Sequence, residues 1–375
     1  MLKVPLSEPN IDETDISEII SSLKTPNLTD GPKLRKFEQK FNQITKTKYA
    51  LGVSNATSAL FLSLLSLNIG KGDEVIIPDM TFVATANSVF VTGAKPILVD
   101  VDDSLNISPN EIEKKITSKT KAIIPVHFAG YPCDMKKIKK LSKKYNLKII
   151  EDCAHAFGAF YEGKHVGTFG DVGCFSFYPT KNITTIEGGM IISNSKSFLK
   201  KASLLRNHGL SKTLVERNKN AKPWDYDVVI PGYNFRLDEV RSSLGISQIK
   251  KFKKFRDNRI KSAKYYNELF FKIPGIELIP YSNIKNHVYH LYIIKITKKF
   301  SMSRDKVHKK LYDLGIGTTV HYKPLHKFSI FKNLNDFDFK TSNQSFKECL
   351  SIPLFSSMTF KQQDYVVSSI KSLSN

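Results

Sequence analysis

The chain has 375 residues, 41% of them hydrophobic and 11% aromatic, which is enough for two structural units with sizeable cores and excludes a disordered polymer. Lys and Arg number 57 against 35 Asp and Glu, and the net charge of +22 admits nucleic acid, an anionic membrane surface or an anionic small molecule as partner. The 4 cysteines (Cys133, Cys153, Cys174 and Cys349) form no C-x-x-C pair and read as reduced thiols of a cytoplasmic protein. The first residues hold no apolar run long enough for a signal peptide, and the most apolar stretch, residues 59–67, is too short to span a bilayer.

From Tyr49 onward short β-rich runs alternate with helical ones. Strands are predicted at 49–54, 74–78, 96–101, 121–128 and 148–152, with helices at 58–67, 84–93, 110–116 and 135–146 between them. Two further strands, 172–178 and 189–194, follow without a long helix between them. Strands that are apolar throughout and separated by helices specify a mostly parallel sheet covered on both faces. A helical stretch from Leu237 to Phe255 leads into a second unit, and HVYHLYIIKI (287–296) reads there as a half-exposed antiparallel strand. A helix over 302–315 and an end segment from Ser351 complete an α+β unit, with the boundary placed near residue 248. The lysine runs at 136–144, 250–254 and 306–310 lie on helical patterns and read as solvated faces.

Ligands of such sheets gather at strand carboxyl ends and helix N-termini, and four segments place polar groups there. Ser54-Asn-Ala-Thr-Ser58 offers hydroxyls and backbone N–H groups to a phosphate, although a helix cap accounts for it equally when taken alone. Asp152 and His155 follow a buried strand, where an acid needs a cation or donors; a structural ion pair would also satisfy it. Lys181 lies just beyond a very apolar strand, with Ser176 before it, Gly188-Gly189 after it and threonines around it. A desolvated lysine has a lowered pKa and forms Schiff bases with aldehydes, and the nearby Ser and Thr hydroxyls suit a phosphate. The loop GYNFR (232–236) is uninformative by itself. Together the lysine, the acid and the phosphate cup fit pyridoxal 5′-phosphate (PLP), whose ring becomes an electron sink when an acid pairs with its nitrogen.

In order, SEPNI, SNATSAL, GDEVIIP, TFVATAN, VHFAGYPCDM, IEDCAHAFGA, YPTKNITTIEGG, GYNFRLDEVRSSLG, HYKPLH and SIPLF cover nearly the whole chain. In these blocks the sequence resembles the PLP-dependent sugar aminotransferases of the DegT/DnrJ/EryC1/StrS family. The resemblance implies the α/β fold-type I architecture, a large PLP-binding domain (1–247) with a mostly parallel mixed sheet and a smaller α+β domain (248–375). It implies that Lys181 bonds to the cofactor aldehyde and later moves a proton, that Asp152 pairs with the pyridine nitrogen, and that His155 supports that acid. Phe82 would lie over the ring face, and Thr57, Ser58 and Ser176 would hold the phosphate. Asn234 would reach the phosphate of a neighbouring subunit, making a homodimer with shared sites, and His321 and Tyr322 would contact substrate.

Relatives with His at the position of Lys181 are dehydratases, so the lysine favours transamination. The Thr-Thr-x-Glu-Gly-Gly ending resembles members that aminate C4 of a nucleotide-linked 4-keto-6-deoxy sugar, with glutamate as donor by family analogy. Alternatives within the fold are a PLP-dependent sugar dehydratase and a 3-keto-sugar or aminocyclitol aminotransferase. A PLP-binding regulator without turnover is countered by the intact Lys181 and Asp152. A nucleic-acid-binding protein is disfavoured by the spread of the basic residues and the lack of a zinc-finger, homeodomain or RRM signature. Metal catalysis finds no H-E-x-x-H, and HVYH (287–290) lies on a strand pattern suited to packing or substrate contact.

Overall fold

In the computed structural model, residues 2–374 are described except 213–215, 218–221, 283 and 332–337. Helices α1 (Glu13–Leu23) and α2 (Pro32–Thr45) precede strand β1 (Tyr49–Val53). There follow α3 (Ala56–Ser66), β2 (Glu74–Pro78), α4 (Val83–Phe90), β3 (Lys95–Val99), α5 (Pro109–Lys114), β4 (Thr120–Ile123), α6 (Met135–Tyr145) and β5 (Lys148–Asp152). A hairpin of β6 (Phe160–Tyr161) and β7 (Lys164–His165) separates β5 from β8 (Val172–Ser176) and β9 (Gly189–Ser193). Then come α7 (Lys196–Arg206), α8 (Glu239–Phe270), β10 (Ile276–Leu278), β11 (Tyr292–Ile296), α9 (Arg304–Asp313), α10 (Lys340–Glu348), β12 (Cys349–Ile352) and α11 (Phe360–Ser372).

Seven strands form one sheet in the order β1-β9-β8-β5-β4-β2-β3, in which β9 alone runs against the others. Successive strand residues point to opposite faces, and both faces here are covered. Val75 and Ile77 of β2 join Leu60 and Leu64 of α3 in one core, whereas Ile76 packs with Ile138 and Leu141 of α6 on the other side. That two-sided burial is why the strands read as unbroken apolar runs. The mixed α/β sheet flanked by helices is the fold-type I arrangement expected from the sequence.

The second sheet, β10-β11-β12, is antiparallel and packs with Tyr266 and Phe270 of α8, Val307 of α9 and Val366 of α11. Strand β11 starts at Tyr292, five residues later than expected, and is buried on both faces apart from half-buried Lys295. HVYH (287–290) therefore lies outside the strand, in a bend where Tyr289 takes a left-handed φ of 48°. Helix α8 has 32 residues and absorbs NELF, well beyond Phe255. Position 248 falls inside it: Ile246, Ile249, Phe252 and Phe255 belong to a core with Phe41 and Phe157, and Ala263, Tyr266 and Phe270 to the core of the second sheet.

Candidate active site

Strands β1, β2, β5 and β8 run the same way, so Ser54, Asp79, Asp152 and Ser176 emerge together at their carboxyl edge. Asp152 is the last residue of β5. Its Oδ2 accepts the Thr85 hydroxyl at 3.0 Å and its Oδ1 the Ala154 N–H at 3.1 Å. Burial pushes its carboxyl pKa up, against the pull of those two donors and of Lys181.

Lys181 sits in a tight loop between β8 and β9, half-buried as a residue. Burial takes its amine down to about 8, with Asp152 opposing the shift. The loop is closed by its own bonds: Phe177 N–H donates to the Gly188 carbonyl and Thr185 N–H to the Phe177 carbonyl, each at 2.9 Å. The hydroxyls of Thr184 and Thr185 donate to the carbonyls of Phe177 and Glu187, so they fold the loop instead of facing a phosphate as the sequence suggested. Gly189 is dictated by a close approach, since a Cβ there would lie 2.5 Å from the carbonyl of Asn55.

Asn55 is the N-cap of α3. Its side chain accepts the Ser58 N–H at 2.8 Å while its own N–H donates to Ser58 Oγ at 3.2 Å. The cap reading and the phosphate-cup reading thus share the same atoms. Thr57 is exposed on the first turn, and the N–H groups of Ala56 and Thr57 find no acceptor among the described residues. Ser58 is buried, and its hydroxyl also meets that of Ser54 at 2.9 Å. Ser176 is half-buried at the end of β8. Asn234 is exposed on a segment bridged to Asn207, and among the described residues no hydrogen bond joins it to Lys181, Asp152, Ser58 or Ser176.

Around Lys181 stand three imidazoles and a phenol. The Tyr322 hydroxyl lies 3.1 Å from His155 Nε2, and the rings of His155 and His290 are 4.4 Å apart. His155 Nδ1 and His290 Nδ1 are buried without a partner. Burial lowers the pKa of His155 and His290 well below the usual range and that of His321 to about 4, so all three are neutral near pH 7. Burial raises that of Tyr322, which remains a phenol. Lys181, His290, His321 and Tyr322 line a cavity of about 70 Å³. Phe82, 56% exposed, presents its ring 5.8 Å from that of Tyr322, leaving an apolar face open.

Sequence reasoning missed Thr85 and gave His290 only a generic part. Thr85 lies in the TFVATAN block, but nothing local marks it as the residue whose hydroxyl meets an acid 67 positions away. It also missed the buried pair beneath Asp152. Glu151 accepts N–H groups of Gly167, Phe169 and Gly170, each at 2.7 Å, and meets His127 Nε2 at 3.0 Å. Cys133 N–H donates to His127 Nδ1, which places the imidazole proton on Nε2. The His127–Glu151–Cys153 cluster has metal-ligand spacing, but its carboxylate is engaged by these four donors and acts as a brace for the strand ends.

The pattern of the DegT/DnrJ/EryC1/StrS aminotransferase family matches residues 9–371, and the chain belongs to this family. It is 39% identical over 375 residues to an uncharacterised protein of Methanocaldococcus jannaschii, spanning 99% of this chain and 97% of that one. It is 35% identical over 376 residues to the spore coat polysaccharide biosynthesis protein SpsC of Bacillus subtilis, with 99% and 97% coverage. Among solved structures, Helicobacter pylori PseC, an aminotransferase involved in the biosynthesis of pseudoaminic acid, superposes with a TM-score of 0.93 at 30% identity, covering 99% of each chain. Aminotransferases of this family depend on PLP. The site's own chemistry fits that cofactor: a buried amine with a lowered pKa, a buried acid, an unpartnered imidazole nitrogen and free N–H groups at a helix N-terminus.

Proposed function

We propose that the chain transfers an amino group from an amino acid, glutamate first among donors, to a nucleotide-linked keto sugar, most simply a 4-keto-6-deoxy sugar. The resulting amino sugar would serve glycan biosynthesis in the cytoplasm. The observation that carries this is Lys181, whose amine is buried near Asp152 and held near pKa 8. PLP, when bound, supplies the electron sink on which the amino group is exchanged. Lys181 holds the cofactor aldehyde and then carries the proton to and from the reacting carbon. Asp152, held by Thr85 and Ala154, keeps a negative charge available to the ring nitrogen. His155, whose Nε2 meets the Tyr322 hydroxyl and whose Nδ1 has no partner, makes no hydrogen bond to that acid among the described residues and stands instead beside Lys181. Neutral His155, His290 and His321 add no cation that would compete with Lys181.

In this reading Thr57, Ser58, Ser176 and the first turn of α3 take the phosphate, and Phe82 covers the ring. Asn234, exposed in the single chain, serves the site of a second copy, and His321 with Tyr322 borders the sugar. Sugar acceptors are supported by the relatives' roles, since SpsC acts in polysaccharide biosynthesis and PseC in pseudoaminic acid biosynthesis.

The test is reconstitution of the apoprotein with PLP, followed by visible absorbance, then assay with glutamate and a panel of keto-sugar nucleotides. Capture should rise with pH to a midpoint near 8, because the deprotonated amine is the nucleophile. Lys181→Ala should capture none and turn over nothing. An unchanged visible band in Lys181→Ala would sink the assignment, and a wild-type enzyme that aminates none of the sugars would sink the substrate class.

A further inference from the structure

Asp79 follows β2 directly, is fully buried, and has no part in the chemistry described above. Its backbone is fixed at both ends, with its N–H donated to the Val99 carbonyl and its carbonyl accepting the Leu325 N–H, each at 2.8 Å. Its carboxylate grips one residue twice: Oδ1 accepts the His326 N–H at 2.9 Å and Oδ2 takes the His326 Nδ1 proton at 2.8 Å. The His326 ring lies flat on Phe339, with centroids 4.6 Å apart and planes 9° apart. Leu325, Phe331 and Phe339 are buried in the core shared with β2 and α3.

The strap that ends at this grip begins on the other sheet. Thr319 bridges Ser351 of β12, and His321 Nδ1 lies 2.8 Å from Ser351 Oγ. Between the two fixings are His321 and Tyr322, which border the Lys181 cavity. Three residues after Asp79 comes Phe82, whose ring faces Tyr322. The same carboxylate thus sits at the root of one wall and holds the far end of the other.

We propose that Asp79 and His326 form a clasp that positions the 321–326 strap against Phe82 and so sets the width of the sugar-side opening. Both are positioning residues, and the effect on sugar binding rests on the functional reading above, whereas the clasp itself does not. Histidine suits the task because it combines a donor at Nδ1 with a flat face for Phe339. His326→Phe keeps the stack and removes the donor. His326→Asn places an amide N–H where Nδ1 stood and gives up the stack.

Hydrogen exchange of residues 319–331, followed by mass spectrometry in the full-length protein, is the direct test, with exchange of α4 as the internal reference. For His326→Phe we expect exchange of the strap to quicken at least roughly tenfold with α4 unchanged, the loss anticipated for a buried bond to a charged group. In the PLP-loaded enzyme KM for the keto sugar should rise about tenfold while kcat stays within about threefold and the visible band of Lys181-bound PLP is kept. His326→Asn should restore both exchange and KM. Unchanged strap exchange in His326→Phe, acceleration spread equally over α4, or no rescue by His326→Asn would each overturn the clasp. If the wild-type protein aminates no keto sugar, the functional reading fails and the exchange comparison still decides the clasp.

Discussion

Thr85 donates to buried Asp152, the acid proposed above to serve the cofactor ring, and its own oxygen lies 3.1 Å from the hydroxyl of Thr81. The donor is worth more than an ordinary hydroxyl because Asp152 is buried, and an unpaired buried carboxylate oxygen is costly. Thr85→Val preserves shape and removes only the O–H, so we expect kcat/KM to fall by roughly 10–100-fold, the scale of a hydrogen bond to a charged group at about 1.5–3 kcal/mol. Thr85→Ser should stay within about threefold of wild type. Steady-state kinetics and PLP titration of the apoproteins measure both, and equal losses in the two variants would make packing, not the hydroxyl, the cause. Lys181 and Asp152 stood out in the sequence as candidates because a charged residue at, or just beyond, the end of an apolar strand is conspicuous by itself. Thr85, His290 and the Glu151–His127 brace were not, because each is defined by a partner far along the chain and none departs from its local pattern.

Helix α2 has glycine at its N-cap and no side chain of its own to close its first turn. Glu239, the first residue of α8, does so from more than 200 positions away: its carboxylate accepts the N–H groups of Gly31, Lys33 and Leu34 at 3.0, 2.8 and 2.9 Å. Gly31 is required as well, since a Cβ would come within 2.6 Å of that carboxylate. Glu239→Ala leaves three donors bare, two of them buried, and should cost at least about 2 kcal/mol, seen as a Tm lower by several degrees in thermal unfolding. A Tm within a degree of wild type would show that water replaces the cap. The parallel strands were readable because two covered faces force continuous apolar runs. HVYH misled because its apolar and polar alternation is that of a strand, while its burial comes from ring contacts such as the 3.9 Å stacking of His287 on Tyr289. The limits of α8 were missed because a helix that changes cores has no single apolar stripe along its length.

At the scale of the whole molecule the basic residues are dispersed, and some of them are paired: Lys144 with Glu113, Lys33 and Lys250 with Glu18, Lys251 with Asp12 and Asp15; the net charge of +22 is the excess left after every acid is counted. Among the described residues no helix is long and apolar enough to cross a membrane. A diffuse positive field draws a diphosphate inward without a dedicated contact, and salt screens it over about 10 Å at 0.1 M. KM for a nucleotide sugar should therefore rise severalfold between low and physiological ionic strength with kcat nearly constant; a salt-independent KM would leave the excess charge without a part in substrate capture. Helix α8 reaches about 48 Å at 1.5 Å per residue and contributes side chains to both cores. A fragment ending at residue 247 would leave Phe41 and Phe157 without Phe252 and Phe255, and one starting at 248 would lack Val4 from its own core. The two halves are thus joined by a shared beam, not a linker, so the folding of each half depends on the other and the protein should unfold as one cooperative unit.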